Sequence, residues 1–372
     1  MSPAAPRKTA ARKPPAHYPR FAASRLANLG ISEPFAGTPE QTVSRLLAMQ
    51  AQDYYGSLWA VGLRTQGTTE ADIERAIAQK KIVRTWPMRG TLHLLAAEDV
   101  RWMLALTGAR MSALNAGRIE RMYGLDAAAM KRCRKIAEKV LRSGEPVART
   151  ALYDAFEAAG IATGESRGIN ILGQLSQDAV ICGGPKIGKQ ASYVLADAWL
   201  PASKPLPREE ALATLASRYF GSHGPATAHD LAWWSSLTLK DVHAAIDAAK
   251  ASLAHETLGG ATYWFSADTF ERTAPAKQIH LLPPFDEYLV AYRDRDIPLD
   301  PFFGPRVIGI NGLFNASLVS AGSVAATWKR RARQASLAVD LSELRPLRRD
   351  ERNGAASATR RYAAFLGLPV LP

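Results

Sequence analysis

A chain of 372 residues, 47% hydrophobic and 22% charged, is too long for one ordinary core and is globular rather than disordered in composition. It contains no run of eighteen apolar residues and no apolar signal core at its start. Its two cysteines, Cys133 and Cys182, are too few for a disulfide framework and lack metal-ligand spacing, so a soluble protein of the cytoplasm with reduced thiols is expected. Forty-seven basic against 34 acidic residues leave a net charge of +13, which makes polyanions the natural partners, a merely soluble basic protein being the alternative.

The opening "MSPAAPRKTAARKPPAHYPR" carries five cations (Arg7, Lys8, Arg12, Lys13, Arg20) and almost nothing to bury, so residues 1–20 read as a disordered basic arm. A pattern of short helices followed by two apolar strands then recurs. In residues 21–120 helices are expected at "PEQTVSRLLAM", "GSLWAVGLR" and "TEADIERAIAQKK", the last capped by Thr68 or Thr69, and strands at "IVRTWPM" and "TLHLLA" around Arg89 and Gly90. In 121–200 the helices are "DAAAMKRCRKIAEKVLRSG", "RTALYDAFEAAG" and "RGINILGQLSQDA", and the strands "AVICGG" and "ASYVLAD" flank a turn, "PKIGKQ", with two lysines at its tip. In 201–270 they are "REEALATLASRYFGSHG", "TAHDLAWWSS" and "TLKDVHAAIDAAKASL", followed by "HETLGG" and "ATYWFSAD". Helices followed by a hairpin outline a winged helix. From 271 to 372 the texture is that of strands and turns, with "SAGS" as a tight hairpin turn and "GAASATRRYAAFLG" as a closing helix. Between Lys329 and Arg361 ten basic residues face four acidic ones, a strip suited to phosphates.

Most standard enzyme motifs are missing. There is no phosphate loop, dinucleotide fingerprint or nucleophile elbow, and His223 and His229, six apart, do not have zinc spacing; no metal or cofactor is expected. Three clusters stand out. In "MQAQD" Gln50 and Gln52 sit where a helix is expected to close; residues two apart on a helix diverge, so the amides converge only if the helix ends there, and a solvated polar terminus is the alternative. In "RTWPMRGTLHLL" the polar Arg84, Arg89 and His93 lie within an apolar hairpin and need specific partners, either a ligand or a carboxylate such as Asp53 or Asp99. In "LLPPFDEYLVAYRDR" Asp286, Glu287, Tyr288, Tyr292, Arg293 and Arg295 crowd a run that otherwise reads as buried, either an interdomain latch or a cleft wall.

These clusters, together with "GPATAHDLAWWSSL" and "GSVAATWKR", resemble in order the winged-helix DNA glycosylases of the AlkZ and YcaQ type. The resemblance implies an α+β fold of three tandem winged-helix motifs in a C-shaped arrangement with a C-terminal β-rich domain. It implies removal of N7-alkylguanine from double-stranded DNA, interstrand crosslinks included, by a monomer acting in repair or in self-resistance to an alkylating natural product. The family motif is glutamine, any residue, then glutamine or aspartate, so Gln50 and Gln52 become the expected catalytic pair of the AlkZ type. Asp53, Arg89, Thr91, His93, Asp286 and Tyr288 become candidates for the second layer or the lesion pocket, and Lys186, Lys189, Arg330, Arg331 and Arg333 for DNA contacts. A non-catalytic winged-helix regulator is the competing reading.

Overall fold

The computed structural model describes residues 18–268, 278–333 and 336–370, apart from the side chains of Ala332 and Arg333. The expected arm therefore falls largely outside the described residues, but its last three residues do not behave as an arm. Helix α1 (Tyr18–Asn28) begins there and buries Phe21, Ala22 and Leu26.

One order of elements then occurs three times: helix, two-residue strand, two helices, hairpin. The first copy is α2 (Pro39–Leu46), β1 (Met49–Gln50), α3 (Tyr54–Arg64), α4 (Glu70–Ala78), β2 (Ile82–Met88) and β3 (Thr91–Ala96). Helices α5 (Ala97–Met103) and α6 (Ala109–Tyr123), joined through a π turn, lead to the second copy. That copy comprises α7 (Ala127–Val140), β4 (Val147–Ala148), α8 (Arg149–Ala158), α9 (Arg167–Gln177), β5 (Ile181–Ile187) and β6 (Gln190–Leu195), followed by α10 (Ala196–Trp199). The third is α11 (Arg208–His223), β7 (Ala226–Thr227), α12 (Ala228–Ser235), α13 (Leu239–Ala249), β8 (Leu253–Leu258) and β9 (Ala261–Ser266). Helix starts follow side-chain caps: Thr69, expected from sequence, forms a reciprocal capping box with Asp72, as do Thr38 with Gln41 and Thr227 with Asp230.

In every copy the short strand pairs with the second hairpin strand, β1 with β3, β4 with β6 and β7 with β9. The hairpins of the first two copies do not stand apart. They join through Arg84 opposite Gly183 into one six-stranded antiparallel sheet, β1-β3-β2-β5-β6-β4, while the third hairpin keeps its own three-stranded sheet.

The C-terminal part contains β10 (Ile279–Leu282), the single turns α14 (Glu287–Val290) and α15 (Gly304–Val307), β11 (Ser317–Ser320), β12 (Ser323–Arg333), β13 (Ser336–Glu343) and α16 (Arg349–Leu366). Its strands form a four-stranded sheet in sequence order, and "SAGS" is the expected two-residue turn, with Ala321 and Gly322 both at positive φ. The part packs on the first copy. Trp59 of α3 lies 4.8 Å from the Tyr362 ring and 5.1 Å from Phe365, and a Cβ on Gly62 would stand 2.2 Å from the Phe365 ring, so only glycine permits this approach. Arg64 reaches Asp286 through two bonds of 2.8 and 2.9 Å, both side chains wholly buried.

Candidate active site

The chain carrying "MQAQD" is not a helix end. Helix α2 stops at Leu46, Leu47 takes φ +67°, and Met49–Gln50 form β1 opposite Leu94 and His93. In extended chain residues two apart share a face, which removes the geometric difficulty a helix would impose on Gln50 and Gln52. Both amides end on the same hairpin. The Gln50 Oε1 accepts from Arg89 Nη2 at 3.0 Å, and the Gln52 Oε1 accepts from the Leu92 N–H at 3.3 Å. Gln50 is 8% exposed, whereas Gln52 is open to solvent.

Arg89 organises the buried side of this pair. It occupies the β2–β3 turn with Gly90, at φ +54° and +66°, a backbone state costing a non-glycine residue about 1–2 kcal/mol. Four bonds hold it. Its N–H donates to Ser236 Oγ at 3.0 Å, Nη1 to the Trp234 carbonyl at 2.8 Å, and Nη2 to Gln50 and, at 2.9 Å, to His93 Nε2. His93 must then donate through Nδ1 to the Thr91 carbonyl, 3.0 Å away, which fixes its neutral tautomer. Burial and the Arg89 charge push its pKa down to about 3.

Glu287 closes the network from the C-terminal part. One oxygen accepts the Gln50 main-chain N–H at 2.7 Å, and the other accepts the Trp234 indole N–H at 2.9 Å and lies 3.7 Å from His223 Nε2. Burial opposes its charge, but His223 and the Arg89 guanidinium outweigh it and hold the carboxyl at about 2. Glu287 and Trp234 lay within stretches that sequence singled out, yet nothing local marked them as the anchors of Gln50, because their partners lie far away along the chain.

The remaining candidates separate. Asp53 caps α3 by accepting the Gly56 N–H at 2.6 Å and is exposed beside Gln52. Asp286 is bound to Arg64 and Tyr288 donates to the Gly322 carbonyl at 2.7 Å; both are wholly inside, so they brace the fold around Glu287 and cannot meet a substrate. The carboxylate partners considered for the hairpin arginine and histidine are not used. Arg84 donates instead to the Ala51 carbonyl at 2.7 and 3.0 Å, and Asp99 pairs with Arg218 at 2.6 Å. Main-chain oxygens serve both hairpin arginines, the Ala51 carbonyl just after β1 for Arg84 and the Trp234 carbonyl for Arg89. Lys186 is not at the hairpin tip: it lies in β5, 2.6 Å from Tyr55 Oη and over both the Tyr54 and Tyr55 rings, while Lys189 sits in the turn. Arg330 is exposed and Arg331 pairs with Asp340 at 3.1 Å; the side chain of Arg333 lies outside the described residues.

Chemically, the network around Gln50 offers dipoles rather than a proton shuttle near neutral pH. Glu287 stays ionised and His93 neutral. Each glutamine oxygen has one lone pair engaged and a second available, and each NH2 can donate. Such a site orients a polar molecule and faces a developing charge. Among the described residues no cluster of His, Cys, Asp or Glu could hold a metal ion, and no helix is long and apolar enough to cross a membrane.

Comparison with known proteins places these features in context. Residues 43–365 match the family described as DNA glycosylase AlkZ-like. The chain is 26% identical over 323 residues to an interstrand DNA cross-link repair glycosylase of Streptomyces sahachiroi, covering 77% of this chain and 81% of that protein. Its fold matches the solved Streptomyces sahachiroi DNA glycosylase AlkZ with a TM-score of 0.80 over 95% of this chain and 98% of that one, at 22% identity.

Proposed function

The chain belongs to the AlkZ-like DNA glycosylase family and is an enzyme acting on N-glycosyl bonds, and from that premise we propose that it hydrolyses the bond between deoxyribose and N7-alkylated guanine, unhooking interstrand crosslinks as well as releasing monoadducts. The observation that carries this reading is the pinning of Gln50. Its main chain is held by Glu287 and its side chain by Arg89, on a strand that sets Gln52 beside it.

Alkylation at N7 makes guanine cationic, so the base departs without a general acid. What remains is to stabilise an oxocarbenium-like sugar and to place water on its anomeric carbon. On this reading Gln50 and Gln52 hold the water through their free lone pairs and turn their carbonyl dipoles toward the cation, with Asp53 nearby. An ionised Glu287 and a neutral His93 behind Gln50 suit chemistry in which the substrate supplies the charge.

The three repeated units act, we propose, as winged helices arranged in a C around double-stranded DNA, followed by the β-rich C-terminal domain. Lys186, Lys189, Arg330 and Arg331 meet phosphates. The enzyme works as a monomer on DNA of the cytoplasm and nucleoid, and crosslink repair is supported by the name of the Streptomyces relative. A role in self-resistance follows if the gene accompanies the biosynthesis of an alkylating natural product.

The test is release of base from a duplex carrying N7-methylguanine or a crosslink, scored by alkaline cleavage at the resulting abasic site. Gln50→Ala and Gln52→Ala are expected to lower the single-turnover rate by about tenfold or more, the equivalent of about 1.4 kcal/mol in the barrier, with duplex affinity near wild type. Wild-type protein that binds DNA and releases no base from several adducts would return the chain to the non-catalytic regulator reading.

A further inference from the structure

Trp233 is the feature of the site's surroundings that the mechanism above leaves unused. It closes "DLAW" in α12, and 45% of its surface is open although its neighbour Trp234 is wholly buried. The ring is not loose. Its indole N–H donates to the Val290 carbonyl at 3.1 Å, and its main chain is fixed through Trp234, whose carbonyl and indole are bound by Arg89 and Glu287.

Arg295 lies against it, with Cζ 5.3 Å from the Trp233 ring centre and 5.2 Å from that of Phe314. That guanidinium is itself held, Nε donating to the Leu289 carbonyl at 2.9 Å, and Phe314 contacts Phe285 at 6.2 Å between ring centres. The wall continues toward the glutamines: beside Phe285, Pro284 lies 3.1 Å from where a Gly56 Cβ would be, and Gly56 is the residue capped by Asp53. The indole is fixed by its own hydrogen bond and backed by a cation, and the main chain of the next residue, Trp234, lies two hydrogen bonds from the Gln50 side chain by way of Arg89, so the ring is not surface decoration. An exposed aromatic face with a fixed cation matches the requirements of a nucleic acid site, where bases stack on the ring and phosphates meet the charge.

We propose that Trp233, supported by Arg295 and Phe314, is a positioning residue that stacks on a planar group of the DNA substrate beside the Gln50–Gln52 pair. The proposal rests on the glycosylase reading for its substrate. The planar group is either a nucleobase next to the lesion or an aromatic ring of the alkyl adduct, and two substrates separate these sources: a duplex with N7-methylguanine, whose adduct has no ring, and one with N7-benzylguanine.

Trp233→Ala, Trp233→Leu and Trp233→Phe are compared for single-turnover rate and KM on both duplexes, and for affinity toward a short single-stranded oligothymidine. Loss of base stacking predicts a roughly five- to hundredfold weakening for the alanine and leucine variants, seen in KM and affinity more than in kcat, and largely restored by phenylalanine. A loss on both duplexes and on the oligonucleotide assigns the stack to a nucleobase, and a loss confined to the benzyl adduct assigns it to the lesion. Unchanged values throughout, or leucine serving as well as phenylalanine, overturn the proposal. Because oligonucleotide binding needs no base release, a wild-type protein that stacks the oligonucleotide on Trp233 but releases no base refutes the glycosylase reading alone.

Discussion

Replacement of Glu287 by glutamine keeps size and shape while removing the charge that locks Gln50 and Trp234 in place. The carboxylate accepts two N–H groups, from the Gln50 main chain at 2.7 Å and the Trp234 indole at 2.9 Å. A glutamine has one oxygen for these two donors, and its NH2 would face the other. Two routes give the magnitude. A carboxyl held at about 2 instead of its ordinary 4.5 contributes about 3 kcal/mol of stability at neutral pH. Leaving one of its two buried N–H donors without a charged acceptor costs about 1–3 kcal/mol, which is consistent. The sign follows from the lowered pKa: the contribution is present above about 4.5 and is lost as pH falls toward 2. Thermal unfolding of wild type and Glu287→Gln, followed by circular dichroism at a series of pH values, is therefore expected to show the largest difference at pH 6–7 and a shrinking one below 4.5. Base release is expected to fall about tenfold or more, since Gln50 loses its anchor. A variant with the wild-type midpoint at neutral pH and the wild-type rate would refute the claim that Glu287 fixes the glutamine.

Further outcomes follow from the same contacts. Arg89→Met removes the donor shared by Gln50, His93 and Trp234 and is expected to slow base release about ten- to hundredfold; Arg89→Lys should not restore it, because one ammonium cannot reproduce the planar fork that spans these acceptors. With His93 held at about 3 and Glu287 at about 2, single-turnover base release should be flat between pH 6 and 8, and an inflection near 6.5 would contradict the neutral assignment of His93. Lys186→Ala is expected to weaken duplex binding and reduce the slope of log affinity against log salt by about 1, as measured by fluorescence anisotropy. Asp286→Asn leaves Arg64 buried without a carboxylate, and a loss of about 3–5 kcal/mol is expected in denaturant unfolding, with the single-turnover rate of the folded fraction retained.

The hairpin strands "IVRTWPM" and "TLHLLA" were legible to the residue, because apolar runs bounded by turn chemistry carry their own signal. The capped helices were legible for the same local reason. The two-residue strands β1, β4 and β7 were not, since two residues have no periodicity, and one of them is the strand that presents Gln50. Reading "MQAQD" as a helix terminus therefore gave the wrong geometry to a segment that begins as a strand. The joining of two hairpins through Arg84 and Gly183 was equally invisible, because pairing between distant segments leaves no mark on either. Asp286 and Glu287 show the limit most plainly. They are adjacent acids in one turn, yet one is spent on Arg64 and the other on Gln50 and Trp234, a division decided by two partners more than 200 positions away on the first copy and a third on the third copy.

On the proposed function, a positive group beside the site would raise the cost of binding a cationic base. Arg89 stands 3.0 Å from the Gln50 oxygen, and in isolation it would repel both an N7-alkylated guanine and the oxocarbenium-like sugar. Glu287 answers that difficulty: it is ionised, buried, and close enough to Arg89 for each charge to shift the other's titration, so that together they leave little net charge. What remains at the surface is directional, an amide carbonyl polarised by the guanidinium behind it. Uncoupling the two charges separates their roles. Glu287→Gln leaves net positive charge near the reacting sugar and should harm the reaction of a cationic base most, whereas the double change Glu287→Gln with Arg89→Met removes both charges and should recover part of that electrostatic loss while the orientation of Gln50 stays impaired. A double variant slower than either single one, by the full product of their effects, would show that the two residues act independently and that charge balance at Gln50 plays no part.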